Sequence, residues 1–404
     1  MASHPPLIPR GGASPGGTTR IQRSRRSDLA IWWREIDRVL LVLVLSLMAI
    51  GTAAVAASSP ASARRLSTAS VRLDDLHFFS MHIRYQVLGL IAMFGASLLP
   101  KDWARRAGIV LCAAMLVALM LVPVMGFSVN GARRWLNLGM SLQPSEFLKP
   151  AFAIGMAWIL SWRARDPNLP VIELCTGLMV LIGGLLMLQP DFGSTILFSG
   201  VWFVMVLLSG ISLKRIGGVI GAGVMLVTLT YVFYENGRNR IDAFLGGGTA
   251  FDQVDLAQRT LLAGGWTGSG LWLGTRKLAL PEAHTDYIFS VIGEEFGLVA
   301  CAVIVLLYLA LVGRVLVRLL EEEDLFTTLA AAGLIAQIGG QAFINVMVNL
   351  QLFPSKGMTL PLISYGGSST IALCLGIGFL LSITRRNPFI KRERFSLTSL
   401  GSKR

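Results

Sequence analysis

Residues 280–297 read LPEAHTDYIFSVIGEEFG. A proline closes a polar, glycine-rich loop, then come His284, Thr285 and Asp286, and an apolar run carries on to about Leu320. That run exceeds the roughly 20 apolar residues a helix needs to cross a bilayer. Asp286 therefore stands where a loop enters a membrane helix. Two readings fit the position. Short oxygen-bearing side chains such as those of Thr285 and Asp286 cap the first free N–H groups of a helix. A carboxylate at the membrane rim beside a large loop is also placed for chemistry at the membrane surface.

Working outward, the chain of 404 residues is 53% hydrophobic and 15% charged, which excludes an ordinary soluble domain. Apolar runs recur at about 38–57, 84–99, 107–126, 145–162, 171–188, 191–210, 216–234, 285–313, 327–349 and 362–384. They predict an all-α polytopic membrane protein with ten transmembrane helices. An even number puts both termini on one side. Lys and Arg number 23 on the tail side and 12 on the other, with Lys149 inside a span. The positive-inside rule then makes both termini cytoplasmic and 235–284, between helices 7 and 8, one large extracytoplasmic loop.

Residues 1–35 are rich in Arg, Ser, Gly and Pro and read as a disordered basic cytoplasmic tail. Residues 36–385 form the membrane domain, and 386–404 a second basic tail. The first apolar run starts only after Arg38, so the beginning does not read as a cleavable signal. A net charge of +13 suggests nucleic acid until the charge is sorted by side. The N-terminal arginines then read as a retention signal and an anionic-lipid contact. Cys112, Cys175, Cys301 and Cys374 are far apart, each within an apolar run. They support neither a zinc site nor a disulfide framework and read as small hydrophobes.

The external basic residues gather in 58–83, 127–144, 235–284 and 350–361. The 235–284 loop carries enough aromatic and apolar side chains to pack, and 253–263 reads as a short amphipathic helix at the membrane surface. Gly268, Gly270 and Gly274 miss the GxGxxG spacing and follow no strand, which rejects a dinucleotide site.

Charges inside spans are costly and mark function or pairing. In QPSEFLK, Gln143 opens a span in which Glu146 and Lys149 share a helical face and can pair. In QPDFGS, Asp191 lies at a tight break between spans, as a helix cap or a functional group. Glu294 and Glu295 lie about 12–13 Å beyond Asp286 along a helix. That is too far to share one reacting bond unless the helix breaks near Gly293, so the two-carboxylate pattern of glycoside hydrolysis is unsupported. Gln337, Gln341, Asn345 and Asn349 recur every four residues as one polar stripe suited to interhelical hydrogen bonds. PSKGMTLPLISYGGSS at 354–369 breaks regular structure and offers Lys356, Ser364 and Ser368. Such a segment is tolerated at membrane depth only when buried or lining a cavity. His284 and Asp286 diverge on a helix and no GxSxG is present, so a Ser–His–Asp triad is excluded.

One favoured carboxylate, several external cations, amides and hydroxyls suit reactions of an anionic lipid. A sugar carried on a lipid diphosphate already has a good leaving group, whose developing charge cations or a divalent metal stabilise. The attacking hydroxyl needs a base, and one carboxylate serves. The inventory fits glycosyl transfer better than hydrolysis.

GARRWLNLG (131–139) with QPSEFLK (143–149), QPDFGS (189–194), LPEAHTDYIFSVIGEEFG and PSKGMTLPLISYGGSS together resemble the SEDS family of shape, elongation, division and sporulation proteins over about 35–385. The last motif and the basic N-terminal tail look more like the division branch. The resemblance implies ten helices and a peptidoglycan glycosyltransferase that polymerises lipid II into β-1,4 glycan strands on the outer face of the cytoplasmic membrane, at the septum. It implies Asp286 as the essential acidic residue. It also implies a substrate site with Arg134, Glu146, Lys149, Asp191 and Lys356, and with Arg238, Arg240 and Gln258 as the matching loop residues; Gln143, His284, Ser364 and Ser368, beside these motifs, complete the candidate set. Mg²⁺ or Mn²⁺ is an expected cofactor. A class B penicillin-binding transpeptidase and small divisome regulators are the expected partners, beside lipid II and the nascent strand. The loop departs from the family pattern, with GGGTAFDQVD at 246–255. Two rivals remain: a lipid II flippase, which needs charges near the midplane such as Glu294 and Glu295, and a non-catalytic divisome scaffold.

Overall fold

The structure is a computed structural model, and it describes residues 25–68, 71–129, 132–137, 141–166, 168–210, 217–218, 221, 228, 231–233, 238, 242, 250–354 and 357–386. It divides into two compact units, 36–385 and the two tails. In the tail unit, helix α1 (Arg25–Glu35) corrects the expectation of a wholly disordered tail. Its segment Leu29–Trp33 lacks the glycines and prolines of the preceding residues, and Arg34 Nε closes a turn on the Ala30 carbonyl at 3.2 Å.

The membrane unit is helical. Its helices are α2 (Arg38–Leu66), α3 (His77–Leu98), α4 (Lys101–Met125), α5 (Pro144–Ser161), α6 (Val171–Leu188), α7 (Phe192–Leu208), α8 (Ala250–Ala263), α9 (Ile288–Leu319), α10 (Leu325–Asn349) and α11 (Ser368–Ile383). By length and composition α2, α4, α6, α9 and α10 can each cross a bilayer, while α7 and α11 are apolar but shorter. Most of the expected span 216–234 lies outside the described residues. Between α4 and α5 the chain forms a small antiparallel ribbon, β1 (Phe127–Val129), β2 (Ala132–Asn137) and β3 (Ser141–Leu142), with Phe127 opposite Trp135 and Leu136 opposite Leu142. The four cysteines are free and buried, as their apolar surroundings led one to expect.

Polar contacts sort the helix ends into two sets. Asp37 caps α2, accepting from Val39 N and Leu40 N, and also receives Arg314 and Arg318 from the end of α9. Ser382 Oγ at the end of α11 donates to the Leu99 carbonyl after α3, and Arg163 after α5 donates to the Ser209 carbonyl after α7. At the opposite end, Arg65 donates to the Ala279 carbonyl and Gln189 Nε2 to the Leu119 carbonyl. Each of these contacts joins two segments that the charge count assigns to the same side.

Asp37 also illustrates how a buried charge is held. Burial pushes its carboxyl upward, but hydrogen bonds from Arg314, Leu40 N and Arg318 outweigh it and hold the group below the ordinary value of 3.8. A depressed carboxylate contributes stability above its unfolded pKa and loses it as pH falls through the folded one. Asp37→Ala removes a cap, worth about 1 kcal/mol, and leaves two guanidinium groups without their shared partner. The variant should melt below wild type in detergent at neutral pH. That gap should close as pH is taken below 3.8, readable by differential scanning fluorimetry.

Candidate active site at the loop end of the bundle

The site is built on main-chain carbonyls. Residues 280–287 turn sharply into α9, with Thr285 N and Tyr287 N both donating to the Glu282 carbonyl at 3.1 and 3.2 Å. The helix cap falls on Tyr287, one residue past Asp286, and makes no side-chain cap bond. Thr285 Oγ1 turns back to Glu282 Oε2 at 2.7 Å. Thr285 and Asp286 thus stand before the cap position rather than at it.

Three successive carbonyls of this turn are each taken by another element. His284 O accepts Tyr365 N at 3.0 Å. Thr285 O accepts Ser364 Oγ at 2.6 Å. Asp286 O accepts Asn345 Nδ2 at 2.8 Å and Asn349 Nδ2 at 3.3 Å. The donors come from α10 and from the non-helical segment 357–367 that docks beside it. That segment is itself tied down: Asn345 Nδ2 reaches Met358 O at 2.7 Å, Gln341 Nε2 reaches Thr359 O at 3.0 Å, and Tyr308 donates to Pro361 O. Gly51 of α2 lets it approach, since a Cβ there would lie 2.6 Å from Ile363 Cα. An apolar cluster of Leu197, Ala257, Leu280, Ala283, Tyr287, Val291, Ile344, Val348 and Met358 lies beneath.

The Asp286 carboxylate is half-buried and lies beside Gly357, where an added Cβ would stand 3.4 Å from Oδ2. His284 is buried against Phe78 and Tyr365, with ring centroids 4.2 and 5.5 Å away, and those two rings also meet each other. Burial drives its pKa down to about 4, only partly opposed by Glu282. It is a neutral packed ring at neutral pH and supplies no positive charge to a ligand. Ser364 is equally committed, accepting Leu360 N at 2.8 Å while donating to Thr285. Ser368, the first residue of α11, is buried.

The other expected residues form separate groups. Lys149 Nζ pairs with Glu146 Oε1 at 2.7 Å inside α5, and Gln143 Nε2 meets Ser145 Oγ at 3.2 Å. Arg134 of β2 grips the α6–α7 corner through the Gln189 and Pro190 carbonyls, with Asp191 4.0 Å away. Asp191 caps α7 through Ser194 N at 3.2 Å. Gln258 lies half-buried on α8, and Arg238 is exposed. Arg240 and Lys356 lie outside the described residues. No described bond joins the Arg134 or Glu146 groups to the Asp286 turn. Of the helices that carry them, α7 contributes Leu197, about 9 Å along the helix from Asp191, to the cluster that includes Tyr287.

Helix α9 does break, but at Gly297, beyond Glu294 and Glu295, and not near Gly293, where a break was the condition for bringing them to Asp286. Gly297 has φ +83°, and a Cβ there would stand 2.3 Å from Trp266 O. The loop fills the gap: Ser269 N and Gly270 N donate to the carbonyls of Glu294 and Glu295, and Leu298 N and Val299 N donate to those of Gly265 and Trp266. Both Glu side chains, each 1% exposed, bind this loop. Glu294 accepts Arg276 N and Lys277 N at 2.6 and 2.9 Å. Glu295 accepts Trp272 N, Gly274 N and the buried ammonium of Lys277. Sequence reading missed Lys277 as a partner; its only signal was an intramembrane carboxylate pair with no cation in its own span. Helix α8 packs on the same region through Val254, Ala257 and Leu261, at the spacing its amphipathic pattern predicts.

Among the described residues no three His, Cys, Asp or Glu side chains converge to hold a metal ion. A divalent ion at such a site is carried largely by substrate phosphates.

Residues 37–388 match the family described as cell cycle protein, which groups FtsW, RodA and SpoVE. A probable peptidoglycan glycosyltransferase FtsW of Caulobacter vibrioides is 33% identical over 375 residues, covering 92% of this chain and 95% of that protein. A protein of the same description from Thioalkalivibrio sulfidiphilus is 35% identical over 368 residues, covering 87% and 90%. Among solved structures, one chain of a peptidoglycan synthase complex that coordinates polymerization and crosslinking aligns with TM-score 0.72 and 28% identity, covering 87% of this chain and 98% of that one. The rod shape determining protein RodA of Thermus thermophilus aligns with TM-score 0.63 and 26% identity, covering 87% and 97%.

Two outcomes follow from this geometry. Lys277→Met leaves Glu295 buried without its cation, a loss of about 3–5 kcal/mol. It should open 264–280 to limited proteolysis, and adding Glu295→Leu should recover only part of the loss because Trp272 N and Gly274 N stay unpaired. His284 binds a proton more weakly folded than unfolded, so its contribution falls as pH drops from 6.5 towards about 4. His284→Phe should flatten that part of the melting-temperature profile.

Proposed function

The chain belongs to the FtsW, RodA and SpoVE family of cell cycle proteins, and from that premise we propose that the Asp286 turn is the base of a peptidoglycan glycosyltransferase. The substrate is lipid II, polymerised into β-1,4 glycan strands at the outer face of the cytoplasmic membrane. Asp286 accepts the proton of the acceptor's 4-hydroxyl. The oxygen then attacks the anomeric carbon of the donor sugar with inversion, and undecaprenyl pyrophosphate departs. Arg134 is committed to the α6–α7 corner, so holding the departing diphosphate falls chiefly to Arg240 and Lys356. No step is assigned to a metal.

The observation that carries this reading is the division of labour at Asp286. Neighbouring elements grip its peptide and those of the two residues before it. Its half-buried carboxylate is not the cap of α9 and faces Gly357. A base needs that combination of fixed position and access. The likeness to a peptidoglycan synthase complex and to FtsW proteins supports the reading, and with it a class B penicillin-binding transpeptidase as partner, small divisome regulators around the pair, and a septal location. The flippase reading loses its residues, because Glu294 and Glu295 are consumed by the loop beside them.

Asp286→Asn should keep the protein inserted and folded while cutting polymer formation by at least about 100-fold, the lower end of general-base contributions. Purified protein with its transpeptidase partner and labelled lipid II gives the readout as glycan strands on a gel. Near-normal polymerisation by the variant rejects the base role.

A further inference from the structure

We propose that Asn345 is a positioning residue for glycosyl transfer, setting the base through its peptide rather than touching substrate; this rests on reading Asp286 as the base. Asn345 spends both amide hydrogens on main-chain carbonyls, Asp286 O at 2.8 Å and Met358 O at 2.7 Å. The first belongs to the base. The second follows Gly357, whose Cα faces the base's carboxylate. One side chain thus fixes both the peptide that carries the carboxylate and the wall beside it.

Its own orientation is set. Both partners of Nδ2 are carbonyl oxygens, which only accept, so the amide cannot be turned the other way. Asn349 supports it from the next turn, donating to Asn345 O at 2.9 Å and to its Oδ1 at 3.3 Å. Asn349 Oδ1 in turn accepts Ser290 Oγ at 2.7 Å and Ser290 N at 3.2 Å, which locks the first turn of α9 to α10. Asn345 is buried and Asn349 fully so. Interhelical adhesion alone would be served by an amide bonded to any facing group. Here the stripe's bonds converge on 286, 290 and 358–359.

The test compares variants in the full-length chain with its transpeptidase partner. Asn345→Asp keeps the shape and loses the donors. Asn345→Leu removes them without charge, and Asn345→Gln keeps them on a longer stem. Loss of base placement by about 1 Å costs on the order of 100-fold. The Asp and Leu variants should therefore lower kcat by about 10- to 100-fold, with KM for lipid II within about threefold. Asn345→Gln should retain more kcat than either. Gln337→Leu, on the same stripe but one turn or more from these contacts, should stay within about twofold of wild type, since the bonds to 286, 290 and 358–359 come from Gln341, Asn345 and Asn349 and none runs through it. Wild-type kcat in Asn345→Asp or Asn345→Leu overturns the proposal. So does a loss confined to KM, or a Gln variant no better than Leu. If Asn345→Leu fails to insert, the isosteric Asp variant decides. Asp286→Asn separates the two layers: an active Asp286→Asn rejects the base, whereas a dead Asp286→Asn beside a fully active Asn345→Leu rejects only the positioning role.

Discussion

A peptide group within a bilayer has no water to turn to, so each N–H and C=O that leaves a helix must find a partner in the protein. This chain leaves the helix at three places near one another: the turn 280–287, the segment 357–367 and the break at Gly297. Each is then paid for by side chains or backbone from elsewhere. The amides of α10 serve the first two, and the loop 264–270 serves the third. Irregular backbone supplies carbonyls and bends that place a carboxylate at the rim. The polar stripe exists to make that backbone tolerable.

The Gly297 break shows the same constraint from the opposite direction. A helix that opens exposes carbonyls on one side and N–H groups on the other. A loop strand running through the gap offers both kinds of partner at once, and the chain takes that solution with Gly265–Gly270. Glu294 and Glu295 then bind the backbone of 272–277 and the Lys277 ammonium. Carboxylates accepting several main-chain N–H groups recover much of the hydration they lose on burial. These two residues link a membrane helix to an external loop, so the loop's position and the helix's shape are one structural fact. The packed face of α8, Val254, Ala257 and Leu261, extends that unit to the cluster under Tyr287.

Much of this was legible in the sequence. The length and spacing of apolar runs gave the helices, because burial in lipid demands little else. The period of four in Gln337, Gln341, Asn345 and Asn349 announced a stripe facing protein, and the structure places it there. The Glu146–Lys149 pair and the Asp191 cap followed from short-range geometry alone. What escaped were partners distant in sequence. Nothing local links Lys277 to Glu295 or Ser364 to Thr285. Nor does any local pattern tell that Tyr287 rather than Asp286 ends the turn, since the turn's shape is imposed by α10 and 357–367. The helix in the tail, Arg25–Glu35, was hidden by averaging its composition with the Gly-, Ser- and Pro-rich residues before it.

The two kinds of buried polar group also bear on whether the molecule transfers sugars or moves lipids. A carrier must expose its key charges to both sides in turn, which requires that their bonds be exchangeable. Glu294 and Glu295 are each held by several partners within one loop, and releasing them would unseat the backbone of 272–277. The Asp286 turn is likewise immobilised carbonyl by carbonyl. Such rigidity works against alternating access and in favour of a reaction that needs a proton acceptor fixed within a fraction of an ångström. The bonds that hold these groups are ones a transfer at a membrane face can keep throughout, and ones a gate through the membrane would have to break and remake.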